Sequence, residues 1–222
     1  ELVELSGRVD GHNQSLAREF DRVLDVLDRR GYVDADDWAL TPDGEVLARV
    51  FHESDLLVAE CLRHGLFDGL PAAELGGLLS VFVYEHRSPE PAPQPWFPSV
   101  DLRDRWRRLI ATSEDLAADE RSTGLGEHRP PDPGFVAAAH AWVLGEDLAD
   151  VVADELLTGG DFVRTMKQLI DLARQVGLVA PDPATRRRAR EVAERAFRGV
   201  VADGVVARPA APDADPGPGP VG

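Results

Sequence analysis

The sequence predicts a mainly all-α fold, a multi-helix bundle with one short β-hairpin near residues 33–46, and three observations carry that prediction. Apolar residues recur at three- and four-residue spacing in segment after segment, the stripe of an amphipathic helix. The pattern changes in one place, where Tyr32-Val33, an Asp-Ala-Asp-Asp turn, Trp38-Ala-Leu40 and Thr41-Pro-Asp-Gly44 follow each other. Finally, 222 residues at 43% hydrophobic suffice to bury a substantial core.

Residues 1–14 read as a lead-in from a preceding domain, because ELVELSGRVD has neither the basic start nor the apolar centre of a signal peptide. The first helix is expected over Ser15–Arg30, with Leu16, Phe20, Val23, Leu24 and Leu27 on one stripe, Ser15 or Asn13 as cap and Gly31 as the stop. The hairpin follows, closed by Thr41-Pro-Asp-Gly44 as a turn. A helix, a short strand and such a turn also describe a small winged-helix module. Helices are expected at Ser54–His64 and Pro71–His86, and Gly76-Gly77 inside the second points to close packing against a neighbour. Residues 88–99, SPEPAPQPWFPS, are too rich in proline for helix or central strand and form an internal loop whose Trp96 and Phe97 need cover.

Helix resumes over Val100–Arg121, breaks at Ser122–Pro133, and continues as Gly134–Leu144 and Leu148–Leu157. In Thr158–Val176, Phe162, Val163, Met166, Leu169, Ile170, Ala173 and Val176 form the apolar side, while Arg164, Lys167, Gln168, Asp171 and Gln175 occupy the other. Thr158 and Asp161 form a near-capping box at its start. The polar side suits either a solvated surface or the recognition of a polar ligand. A last helix is expected over Pro183–Val206, after which a Pro- and Gly-rich tail, 206–222, reads as disordered. The bundle thus occupies residues 15–205.

Composition narrows the function. With 40 acidic against 24 basic side chains the formal charge is -16, which argues against autonomous, non-specific nucleic-acid binding. The single cysteine, Cys61, excludes an internal disulfide and fits a reducing cytoplasm. No run approaches the roughly 20 apolar residues that span a bilayer. Phosphate-wrapping glycine loops, nucleophile elbows and His-Glu-x-x-His are all missing from the sequence, so no catalytic residue is assigned. His52 and Glu53, near Glu60 and His64, lack metal-ligand spacing, so no metal site is assigned. The arginine clusters at 103–108 and 186–190 suit solvated faces. Glu60 lies close to the apolar stripe of its own helix, where a carboxylate either pairs with a cation at the core edge or points into a channel.

Three separated stretches carry a family resemblance: Leu57–Glu85, Gly160–Arg174 and Tyr32–Val50. They resemble the C-terminal helical domain, the DSHCT domain, of superkiller-type DExH-box RNA helicases, with the style of its actinobacterial members. An acidic residue before an apolar helix, a Gly-x-Phe turn, a second apolar helix ending in an acid and a Gly-x-Phe-Val-Arg start are the matching features. The resemblance implies that two RecA-like domains and a winged-helix domain of the same polypeptide are the partners, that ATP and magnesium are bound by the RecA-like domains, and that this segment itself holds no cofactor. It implies a bundle that closes a ring over the RecA-like core and grips single-stranded RNA or DNA with one helix. Within that implication Glu60 matches the family's channel-facing acid and Arg164 its ratchet arginine; helix geometry adds Lys167, Gln168 and Asp171, at i+3, i+4 and i+7 from Arg164. The alternative is a helical protein-interaction module with no nucleic-acid contact.

Overall fold

The computed structural model describes residues 2–87, 92, 94–152 and 157–203, with side chains from residue 15 onward. In chain order these form α1 (Leu2–Arg29), β1 (Val33–Asp34), β2 (Ala39–Leu40), α2 (Pro42–Leu47), α3 (Asp55–Arg63), α4 (Ala72–Val83), α5 (Val100–Thr123), a 3-10 turn (Pro133–Phe135), α6 (Val136–Leu144), α7 (Leu148–Val151), α8 (Gly159–Val179), α9 (Pro183–Ala196) and α10 (Gly199–Asp203). Helix and one two-stranded antiparallel hairpin, Val33 opposite Leu40, make the fold mainly all-α, as the periodicity predicts.

The differences from the sequence expectations have local causes. Helix α1 starts ahead of the expected Ser15, at Leu2, since Leu2, Leu5 and Val9 continue the same spacing. Thr41-Pro-Asp-Gly44 opens α2 instead of turning a hairpin: Thr41 caps it by accepting from the Gly44 amide, and Pro42 occupies the first turn, where it is preorganised. The last helix breaks at Phe197-Arg198 into α9 and α10. The tail 206–222 and most of the second half of the expected Leu148–Leu157 helix lie outside the described residues.

Helix α4 is the centre of the packing. Its residues Leu75, Leu78, Leu79, Val81 and Phe82 are buried, and it lies against α6, α8 and α9. A Cβ on Gly76 would stand 3.1 Å from a Val143 methyl and 3.4 Å from one of Val192; on Gly77 it would meet Val136 at 3.2 Å. The glycine pair therefore sets how closely α6 and α9 approach, as the sequence anticipates. Helix α8 packs along α9, where Gly177 admits the Arg190 side chain, whose Nε donates to the Gly177 carbonyl at 3.1 Å. Phe162, at the start of α8, is clasped by Phe135 and Trp142, ring centroids 5.8 and 5.1 Å away. Of the loop aromatics, Phe97 leans on Trp106 and Trp96 stays half exposed beside His140.

Candidate nucleic-acid interface

The start of α8 is fixed as its sequence suggests. The Asp161 amide donates to Thr158 Oγ1 at 3.1 Å, and that hydroxyl donates to Asp161 Oδ2 at 2.7 Å. Phe162, Met166, Leu169, Ile170, Ala173 and Val176 are buried, which turns Arg164, Gln168 and Asp171 outward, with Lys167 half-buried.

These four polar residues form one wall of an open groove of about 1050 Å³. The facing walls come from residues 51–53 and from the extended segment 84–87 after α4. Arg129 pins both, because its Nε donates to Glu53 Oε1 at 2.8 Å, its Nη1 to the Tyr84 carbonyl at 2.7 Å, and its Nη2 to the Phe82 carbonyl. It thereby satisfies carbonyls that the end of α4 leaves open. Asp132 accepts from the His86 amide at 2.7 Å and holds the same segment from below. Gln175, one turn beyond Asp171, bonds the Phe51 backbone at both groups, accepting from its amide at 2.7 Å and donating to its carbonyl at 3.5 Å.

The groove is charge-balanced rather than cationic. Arg164 pairs with Asp161 at 2.8 Å, Arg129 with Glu53 at 2.8 Å and Arg87 with Glu85 at 2.8 Å. Asp171 accepts from Gln175 Nε2 at 2.8 Å. Lys167 has no ion pair among the described residues. Burial pushes the His52 ring below its ordinary value, and its Nδ1 accepts from the Ser54 amide at 3.0 Å, so the neutral ring carries its proton on Nε2. On a chain of charge -16 this is a site where an anionic strand meets little net repulsion.

Glu60 does not join the other four. It is 1% exposed on α3, and both carboxylate oxygens accept from Arg63 Nη2 at 2.8 Å. Arg30 Nη1 lies 3.4 Å from Oε1 and His64 Nε2 3.3 Å from Oε2. Arg63 also donates to the Arg30 carbonyl and stacks over the buried Tyr32 ring at 4.9 Å. The carboxylate, which the resemblance matches to a channel-facing acid, is engaged here by arginines of its own chain, which ties α3 to the end of α1 and to the hairpin. Among the described residues no group of His, Cys, Asp and Glu is placed to hold a metal ion, and no helix is long and apolar enough to cross a membrane.

Phe51 and Arg129 are groove residues that periodicity does not reveal, since they come from loops, whereas residues 84–86, expected as the end of the Pro71–His86 helix, follow α4 outside the helix, which stops at Val83 with Tyr84 extended. The one available signal for Phe51 is an aromatic residue in a short polar stretch, Phe-His-Glu, between two helical patterns.

Residues 37–203 match the family DSHCT, the DSHCT (NUC185) domain. Over 212 residues, covering 90% of this chain and 23% of the relative, the sequence is 40% identical to "Probable helicase HelY" of Mycobacterium tuberculosis. It is 39% identical over the same span to "Probable helicase HelY" of Mycobacterium leprae, again 90% of this chain and 23% of the relative. Identity to "Exosome RNA helicase MTR4" of Homo sapiens is 25% over 155 residues, 68% of this chain and 14% of the relative. The chain spans about a quarter or less of the length of these relatives, 23% for the mycobacterial ones.

Proposed function

The chain belongs to the DSHCT family, and from that premise we propose that it is the accessory domain of a cytoplasmic, ATP-dependent helicase that closes over a RecA-like core and touches single-stranded nucleic acid, RNA in the first place, through α8. ATP and magnesium are handled in this reading by RecA-like domains outside the chain. The observation that supports it is the convergence of Arg164, Lys167, Gln168 and Asp171 along one wall of a single groove.

Arg164 is available to such a strand. Its pair with Asp161 joins side chains that are 56% and 45% exposed. An ion pair of that kind is worth about 0–1 kcal/mol, so a phosphate can replace the carboxylate at little cost. A guanidinium plane can also stack on a base while bonding a phosphate, a grip that tolerates any sequence. From Arg164 to Asp171 the helix rises about 10 Å, so a strand following this face passes all four side chains. Glu60 contributes indirectly in this scheme, by holding the hairpin and α1 against α3.

The charge balance also sets the strength. With few free cations, the chain by itself binds single strands weakly and with a shallow salt dependence, near the roughly -0.7 per neutralised phosphate expected for one or two contacts. Nanomolar, steeply salt-sensitive binding contradicts that account. In the complete helicase, Arg164→Ala lowers strand unwinding far more than ATP hydrolysis; unwinding at the unsubstituted rate removes Arg164 from the mechanism and favours a protein-interaction module.

A further inference from the structure

We infer that Phe51 is the base-stacking platform of the α8 groove, taking the face of one nucleobase of a single strand whose phosphates pass Arg164 and Lys167. The inference rests on the groove being a nucleic-acid site and adds its second wall.

Three observations lead to it. Phe51 is 78% exposed although it lies between Val50 and Ser54, both buried to within a few per cent. Its neighbours anchor the loop while the ring is left outside the core. Next, the position of Phe51 is set by the ligand-facing helix itself. Gln175 bonds both its amide and its carbonyl, and Asp171 holds the Gln175 side chain. An Asp171–Gln175–Phe51 chain of hydrogen bonds thus sets the ring's loop against the same face that carries Arg164 and Lys167. Third, the other strongly exposed aromatic residues among those described, Phe20, Trp38, Trp96 and Phe197, do not line this groove.

The physical need for such a platform follows from the charge balance. Phosphate attraction alone is weak where each arginine already has a carboxylate beside it. An aromatic face supplies grip that does not depend on charge and accepts every base, because every base has a π-face. The length is adequate, since Arg164 and Gln175 are separated by about 16 Å along α8, enough for a short stretch of single strand.

The test titrates the 222-residue chain at low salt with an oligouridylate carrying one central 2-aminopurine, and with a sugar–phosphate strand of the same length without bases. The chain is expected to quench 2-aminopurine and to favour the base-bearing strand by about tenfold. Phe51→Ala removes the quenching and the preference and leaves the affinity for the baseless strand unchanged, whereas Phe51→Trp restores both. The Arg164→Ala, Lys167→Ala double variant weakens both strands alike, which reads the groove independently of the ring. If Phe51→Ala matches the unsubstituted chain on the base-bearing strand while the double variant weakens it, stacking is overturned and the groove survives. If neither variant alters binding, or the unsubstituted chain binds no strand at all, both are overturned. Circular dichroism of Phe51→Ala is expected to be unchanged, because the ring contributes little to the core.

Discussion

Replacing Glu60 by alanine should unfold this chain more readily than any change on the groove surface. The carboxylate is 1% exposed and receives two hydrogen bonds from Arg63 at 2.8 Å with Arg30 at 3.4 Å. Removing one member of a buried pair costs about 3–5 kcal/mol, because the partner charge is stranded away from water. Here the stranding is partial. The Arg63 side chain is 27% exposed and can turn to solvent, while Arg30 keeps Asp115 at 2.9 Å and Asp119 at 2.6 Å. The expected loss for Glu60→Ala is therefore at the lower end, about 3 kcal/mol. Glu60→Gln, which keeps an acceptor for one bond but removes the charge, should cost about 1.5 kcal/mol. In urea, with a slope of about 3 kcal/mol/M for a chain of this size, the first loss lowers the unfolding midpoint by about 1 M. Far-ultraviolet circular dichroism across a urea series reads it. Arg63→Ala and the double variant complete a cycle, whose coupling should account for about half of the loss. A Glu60→Ala unfolding free energy within about 0.5 kcal/mol of that of the unsubstituted chain would refute the reasoning, for the network would then be worth no more than a surface pair.

Gly44→Ala tests whether propensity or contact decides at the hairpin. Gly44 lies inside α2, where alanine by itself adds about 1 kcal/mol, yet its Cβ would stand 1.9 Å from the Tyr32 carbonyl oxygen, which accepts from the Thr41 amide. A net loss of about 2 kcal/mol is expected by urea unfolding, and a gain in stability sinks the argument. Stability should also fall in mild acid. Burial holds His52 and His140 below their ordinary value of 6.5, so as pH drops through about 6.5 the unfolded chain takes up protons before the folded one, and folding loses free energy down to the depressed folded values. The urea midpoint should decline from pH 7 to pH 5.5, with His52→Asn, His140→Gln flattening that decline; a level midpoint in the unsubstituted chain contradicts the burial account.

The sequence by itself determined most of the helices and the inward side of each. The three- and four-residue spacing of Phe162, Met166, Leu169, Ile170 and Ala173 leaves one way to bury α8, and once that stripe is inside, Arg164 and Gln168 must face out. Thr158 marks a helix start through short-range hydrogen bonds that are local in sequence, and Gly76-Gly77 announces close packing because a missing side chain has few other uses within an apolar helix. Tertiary structure decided the rest, for the reason that long-range partners leave no period. Whether Thr41-Pro-Asp-Gly44 turns or starts a helix is nearly degenerate locally and is resolved by what Gly44 touches in space. The fate of Glu60 was open between a channel and a core edge until Arg30, thirty residues away, was brought beside it. The groove's second wall belongs wholly to this class. Phe51 meets Gln175 across 124 residues and Arg129 meets Phe82 across 47, separations over which charge and hydropathy patterns carry no register, so only the packed bundle could place them opposite α8.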